Sequence, residues 1–213
     1  FTIAHELGHS MHSYYSHGAQ PHAKAHYSIF VAEVASTVNE VLLLKYMIGN
    51  ASDKKDKKYL LTYYLDMFRT TLFRQTMFAE FEKLSHDMAA KGLPLTPKSL
   101  SDKYYKLNKK YYGKAVTHDN LIRYEWARIP HFYTAFYVYK YSTGLTAAVN
   151  IANAILTKGE SAVADYKRFL KSGGSDSPYE LLKIAGVDLM DKTPFNNAMN
   201  EFKATLEQLK KEF

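Results

Sequence analysis

The sequence predicts an all-α protein, and three observations carry the prediction. Apolar residues recur three and four positions apart over long stretches, as in Leu60, Leu61, Tyr64, Met67, Phe68 and Leu72. Helix-starting pairs such as Ser52-Asp53 and Thr96-Pro97, and helix-stopping glycines such as Gly92 and Gly113, punctuate those stretches. No segment shows the sustained apolar–polar alternation of a half-buried strand. There is no internal repeat and no low-complexity run, so residues 1–213 are read as a single helical domain.

The first helix runs from the chain start to about His17-Gly18, where a glycine can take the left-handed conformation. It carries His5-Glu6-Leu7-Gly8-His9, an H-E-x-x-H pattern. Residues four apart share a helix face, so His5 and His9 can present both imidazoles to one metal ion. Glu6 then projects beside that ion as a candidate general base. Phe1, Ala4, Leu7 and Met11 recur on another face and suit burial. Gly8 is a poor helix former, costing about 1 kcal/mol relative to Ala, which suggests that something passes close to the backbone there.

Gly18 to Tyr27 reads as a loop, and His12, His17, His22 and His26, in or near it, read as surface or hydrogen-bonded histidines. Ser28 to Ile48 reads as a second, largely apolar helix. Its Glu33 would be costly if buried without a partner, and two histidines holding a cation would provide one. Catalytic zinc takes three protein ligands and leaves a fourth position for water, so His5, His9 and Glu33 form a candidate set. Glu40, two turns beyond Glu33, is either a partner orienting a zinc histidine or a structural ion pair.

A long amphipathic helix is expected from Asp53 to about Ala90, and another from Thr96, as N-cap, to Tyr112-Gly113. Lys114 to Pro130 is irregular with a short helix, Trp126 packing inside it and His118 and Asp119 unassigned. Arg123 and Arg128 suit surface pairing or a substrate carboxylate. His131 to Ile155 reads as helix. Within it Tyr133, Tyr137 and Tyr141 fall at i, i+4 and i+8 and would share one face, with Tyr139 pointing elsewhere. Such a stripe suits a core, but Tyr hydroxyls and an imidazole N–H also suit a developing oxyanion. Three further helices are expected at Ser161–Lys171, Ser177–Ala185 and from Pro194 to the end.

Composition narrows the function classes. Hydrophobic residues at 46% and charged residues at 23% are ordinary for a soluble globular chain, and no apolar run approaches the roughly 20 residues that span a bilayer. The absence of Cys excludes disulfides and thiolate ligands, leaving His and carboxylate, and fits a cytoplasmic protein. The net charge of +7 comes from lysines scattered over polar helix faces, so no nucleic-acid partner is expected. Tyrosine is abundant, at 18 residues against one Trp, which suits a peptide cleft as well as a helical core.

Taken together, AHELGHSMHSYYS, FVAEVASTVNE and IPHFYTAFYVYKYSTG resemble the oligoendopeptidase F branch of the thimet oligopeptidase-like zinc metallopeptidases. The resemblance runs across most of the chain. It implies one Zn2+ per chain on His5, His9 and Glu33, with Glu6 as the base for a metal-activated water. It also implies endopeptidase activity on short, unfolded oligopeptides. His131 with Tyr137 and Tyr139 would contact the tetrahedral intermediate, and Tyr133 and Tyr141 would touch substrate, although the histidine-to-tyrosine spacing differs between branches. Family members are several times longer and carry the motif deep in the chain. The sequence therefore reads as a C-terminal catalytic part whose partner would be the preceding part of the same protein. The alternative is a zinc-binding helical piece with weak activity.

Overall fold

The structure, a computed structural model, describes residues 1–213. The all-α expectation holds. In order, the helices are α1 (Thr2–Ala19), α2 (His22–Ala25), α3 (Ile29–Asn50), α4 (Lys54–Met67), α5 (Arg74–Ala90), α6 (Pro97–Tyr112), α7 (Tyr139–Lys158), α8 (Glu160–Lys171), α9 (Pro178–Ile184) and α10 (Thr193–Lys210). A π-helical turn, Phe68–Phe73, joins α4 to α5, and 3₁₀ segments occupy Asn120–Arg128 and Pro130–Tyr133. Local chemistry starts several of them as read: Asp53 accepts from Lys55 N–H, Thr96 and Ser99 form a reciprocal cap, and Ser177 accepts from Glu180 N–H.

The chain divides into two compact units. Residues 1–68 and 143–213 form the first, and residues 69–142 the second.

In the first unit α3 is the central element. Val31, Val34, Ala35 and Val38 pack with Ala147, Ala148 and Ile151 of α7, Phe169 and Leu170 of α8, and Leu181 and Leu182 of α9. Helix α1 meets α3 at Gly8, His12 packs on Tyr27 and Phe169, and Ser16 bonds the Ala25 carbonyl; of the apolar positions expected, Met11 packs against the core while Leu7 stays 58% exposed. The crossing at Gly8 is close. A Cβ on Gly8 would stand 2.5 Å from Ser36 Cα and 2.7 Å from the Ala35 carbonyl oxygen, so only glycine fits. Elsewhere in this unit Lys45 pairs with Glu201, whose other oxygen accepts from Asn153, tying α3, α7 and α10 together.

In the second unit Met77, Phe78 and Phe81 of α5 pack on Tyr104 and Leu107 of α6, with Ile129 and Val138 closing the cluster and Trp126 against it. Buried Glu125 accepts from Arg74 and Arg128 at 2.6 Å each and from the Tyr104 hydroxyl at 2.5 Å. The two arginines and the phenol hold its carboxyl below the usual range despite burial.

Several expected boundaries shift for local reasons. Gly18 stays inside α1; the helix ends at Gln20 in an extended conformation, which the following Pro21 favours. The expected loop after it contains one helical turn, α2. The long amphipathic helix is interrupted by the π turn. There the Leu72 carbonyl accepts from the Thr76 hydroxyl at 2.7 Å and the Ser142 hydroxyl at 3.0 Å. The helix expected from His131 begins at Tyr139, because residues 134–138 are non-helical and Phe136 has φ 54°.

Candidate metal centre

The metal candidates come from two helices. His5 and His9 stand one turn apart on α1, and Glu33 projects from α3. His5 Nε2 and His9 Nε2 are 3.2 Å apart, with Glu33 Oε2 at 3.3 Å from the first and 3.7 Å from the second. Ligand atoms on a tetrahedral zinc with bonds of about 2.0–2.1 Å stand about 3.3–3.4 Å from one another. The three atoms therefore already lie near the edges of one coordination tetrahedron. They form the one group of three or more potential His, Asp or Glu ligands that converges in this way.

His5 Nδ1 lies 2.5 Å from Glu40 Oε1, and the tautomer that donates from Nδ1 there leaves Nε2 with a lone pair towards Glu33 and His9. With both Nε2 atoms unprotonated, the two nitrogens and Glu33 Oε2 would offer one cation three donor atoms. Glu40 meets His5 on Nδ1, a contact that serves an orienting partner and a structural ion pair alike. Glu33 is not fully buried as expected, with 30% of its side chain exposed. Its Oε2 also accepts from the Ser36 hydroxyl at 3.3 Å, and Gly144 of α7 lies against its Cβ. Glu6 is exposed, next to His5 in sequence.

Sequence reasoning missed three supports of this frame. Tyr27 stacks face to face on His12 at 3.6 Å, and its hydroxyl bonds Ser13 at 2.9 Å and reaches the His9 carbonyl. Asn39 donates to the Ala4 carbonyl at 3.2 Å, bridging α3 to the ligand helix. His12, expected at the surface or hydrogen-bonded, is buried with the Tyr27 ring stacked on its face, and its Nδ1 has no partner. Helical periodicity marks none of these, since each depends on what the other helix brings.

The second unit holds the other predicted residues. His131 stacks on Tyr137, its Nε2 lies 3.3 Å from the Tyr141 hydroxyl, and Tyr141 donates to Tyr137 at 3.4 Å. Tyr133 is 89% exposed on a 3₁₀ turn and Tyr139 opens α7. The common face of Tyr133, Tyr137 and Tyr141 therefore does not form, because the backbone between 133 and 139 is not helical. Tyr141, expected to touch substrate, joins the His131 group. Arg123 pairs with Asp102 and Arg128 with Glu125. His118 bonds the Gly113 carbonyl and Asn108, and Asp119 caps the 3₁₀ helix, so these four serve local structure.

The sequence profile of Peptidase family M3 matches residues 1–201. This chain belongs to that family. Among curated M3-type relatives, it is 50% identical over 209 residues to Oligopeptidase PepF of Bacillus subtilis (strain 168), covering 98% of this chain and 31% of that protein. It is 46% identical over 213 residues to an Oligoendopeptidase F homolog of Borreliella burgdorferi, covering 100% and 36%. The crystal structure of oligoendopeptidase-F from Enterococcus faecium superposes with a TM-score of 0.89 at 46% identity, covering 100% of this chain and 38% of that one. PZ peptidase A with an inhibitor shares the fold, with a TM-score of 0.79 at 20% identity over 99% of this chain and 37% of that one. The chain thus spans about a third of the length of the curated relatives it matches. No helix is long and apolar enough to cross a membrane.

Proposed function

We propose that residues 1–213 act as a helical catalytic domain of a zinc-dependent endopeptidase that hydrolyses short, unfolded oligopeptides in the cytoplasm. The observation that carries this reading is the convergence of His5 Nε2, His9 Nε2 and Glu33 Oε2 at tetrahedral spacing, with Glu40 against Nδ1 of His5. That donor set, two imidazoles and a carboxylate, fits one Zn2+ per chain. A zinc ion held there supplies Lewis acidity to the scissile carbonyl and makes water easier to deprotonate at neutral pH.

The chain's own residues do the rest. The Glu6 carboxylate takes a proton from the attacking water and returns it to the departing amine nitrogen. Nε2–H of His131 or a hydroxyl of Tyr137, Tyr139 or Tyr141 donates to the carbonyl oxygen as negative charge develops. Tyr133 and Tyr141 line the path of the peptide. The roles of His131 and the tyrosines rest on the family resemblance and on the hydrogen-bonded grouping of His131, Tyr137 and Tyr141.

The test is metal stoichiometry with peptide cleavage on wild type, Glu33→Ala and Glu6→Gln. The reading expects close to one zinc in the wild type and a large loss in Glu33→Ala. Glu6→Gln should keep its zinc while hydrolysis falls by roughly 10²–10⁴-fold. A folded wild type without zinc affinity would overturn it. The second reading, a zinc-binding piece with feeble activity, is favoured by the third of the relatives' length that this chain represents. Full zinc occupancy with negligible hydrolysis by the wild type would select it.

A further inference from the structure

The connector between the two ligand helices carries a second group of imidazoles. His17 sits in the last turn of α1, and His22 and His26 lie four apart across the short α2. His26 is 5.7 Å from His17 and 6.0 Å from His22, centroid to centroid, with the rings nearly perpendicular in both pairs. All three are exposed, and none makes a hydrogen bond or ion pair with the protein. Two imidazoles on one tetrahedral ion with metal–nitrogen bonds of about 2.0–2.1 Å have centroids about 5 Å apart. His5 and His9, by comparison, stand at 4.8 Å. The ligand atoms of the three rings do not all lie within 4.8 Å of one another, so the exposed side chains would have to rotate to meet on one ion.

The frame beneath these rings is anchored. Ser16 donates to the Ala25 carbonyl at 2.5 Å, and Gly174 N–H donates to the Lys24 carbonyl at 2.8 Å. Gly173 and Gly174 allow this approach, because a Cβ on either would collide with the carbonyl of Lys24 or His26. The backbone that carries His22 and His26 is thereby tied to the end of α1 and to Gly174.

From this geometry we infer that His17, His22 and His26 form a second cation site, separate from the His5–His9–Glu33 centre. Its chemistry is all imidazole, which suits Zn2+, Ni2+ or Cu2+ and disfavours Mg2+ and Ca2+. His17 is two turns beyond His9, about 12 Å along the helix axis, so the two ions would not share ligands. With no carboxylate among its ligands and Lys24 on the same short helix, this site is weaker than the first and fills only when cation is in excess. Filling it clasps α2 onto the end of α1. The same connector leads to Tyr27, which holds His12, Ser13 and the His9 carbonyl. The clasp therefore stiffens the support of the first centre without touching it.

The experiment is a Ni2+ titration by calorimetry of the 213-residue chain preloaded with one equivalent of zinc. It is repeated on His22→Asn/His26→Asn and on Glu33→Ala without preloading. The inference expects one further Ni2+ in the wild type and binding at least tenfold weaker in the double variant, with its circular dichroism unchanged. Glu33→Ala should retain this event, which separates failure here from failure of the first centre. Amide exchange across residues 17–27 should slow when Ni2+ is added to the wild type and not to the double variant. Absence of a second event in the wild type, or its persistence in the double variant, would overturn the inference.

Discussion

His12 lies three residues beyond His9, buried to 1% exposure beneath the Tyr27 ring. Burial, reinforced by His9, depresses its pKa to about 4. Between that value and about 6.5, the value for an unfolded chain, the folded state binds fewer protons than the unfolded one. Stability from this residue is therefore complete above pH 6.5 and is lost as the pH falls towards 4, by up to about 3 kcal/mol. Urea unfolding at pH 7 and pH 4.5 should show the drop in the wild type and a smaller one in His12→Phe, which keeps the aromatic stack and cannot titrate. Equal drops in the two proteins would mean that other groups govern the acid response. The proximity of His5 and His9 was legible at this scale, because they are four residues apart on one helix. Tyr27 was not, because its role depends on a fold-back that no local pattern encodes.

At the scale of elements, the loop before α7 shows how tertiary contacts override a periodic pattern. Phe136 adopts φ 54°, a region that costs a non-glycine residue about 1–2 kcal/mol. Its N–H donates to the buried Glu82 carboxylate at 2.7 Å, and His86 packs on its ring at 4.6 Å. A hydrogen bond to a charged group contributes about 1.5–3 kcal/mol, enough to offset the strain. This contact fixes the segment from which His131 and Tyr137 project. Glu82→Ala should destabilise the protein by about 2 kcal/mol and speed amide exchange at residues 131–141. Adding Phe136→Gly should recover part of the loss, since glycine adopts that φ without strain. Unchanged exchange in Glu82→Ala would show that the loop is held by other contacts. At the π turn, Phe68–Phe73, the Leu72 carbonyl accepts from Thr76 one helical turn on and from Ser142, a partner distant in the chain that a 3.6-residue period does not show.

For the whole molecule, the division into two units predicts where a metal would act on stability. Every atom of the proposed centre belongs to residues 1–68, and the ion would bridge α1 to α3. At free zinc of about a thousand times Kd, binding stabilises the folded state by about 4 kcal/mol. Removing zinc with a chelator should therefore accelerate amide exchange in α1 and α3. Helices α5 and α6, packed through Phe78, Phe81 and Tyr104 with no ligand among them, should keep their protection. Equal loss in both pairs, or none in α1, would refute this placement of the stabilisation.

What the sequence by itself determined was set by short-range geometry. The helical class, the starts at Asp53, Thr96 and Ser177, and the pairing of His5 with His9 all follow from a repeat of 3.6 residues and from caps within three positions. The tertiary structure alone decided the rest: Glu33 Oε2 at 3.3 Å from His5, Glu40 on the far nitrogen of that ring, and α1 pressed onto α3 at Gly8. Such distances are fixed by how helices cross, and a crossing depends on side chains far apart in the chain that no local period relates.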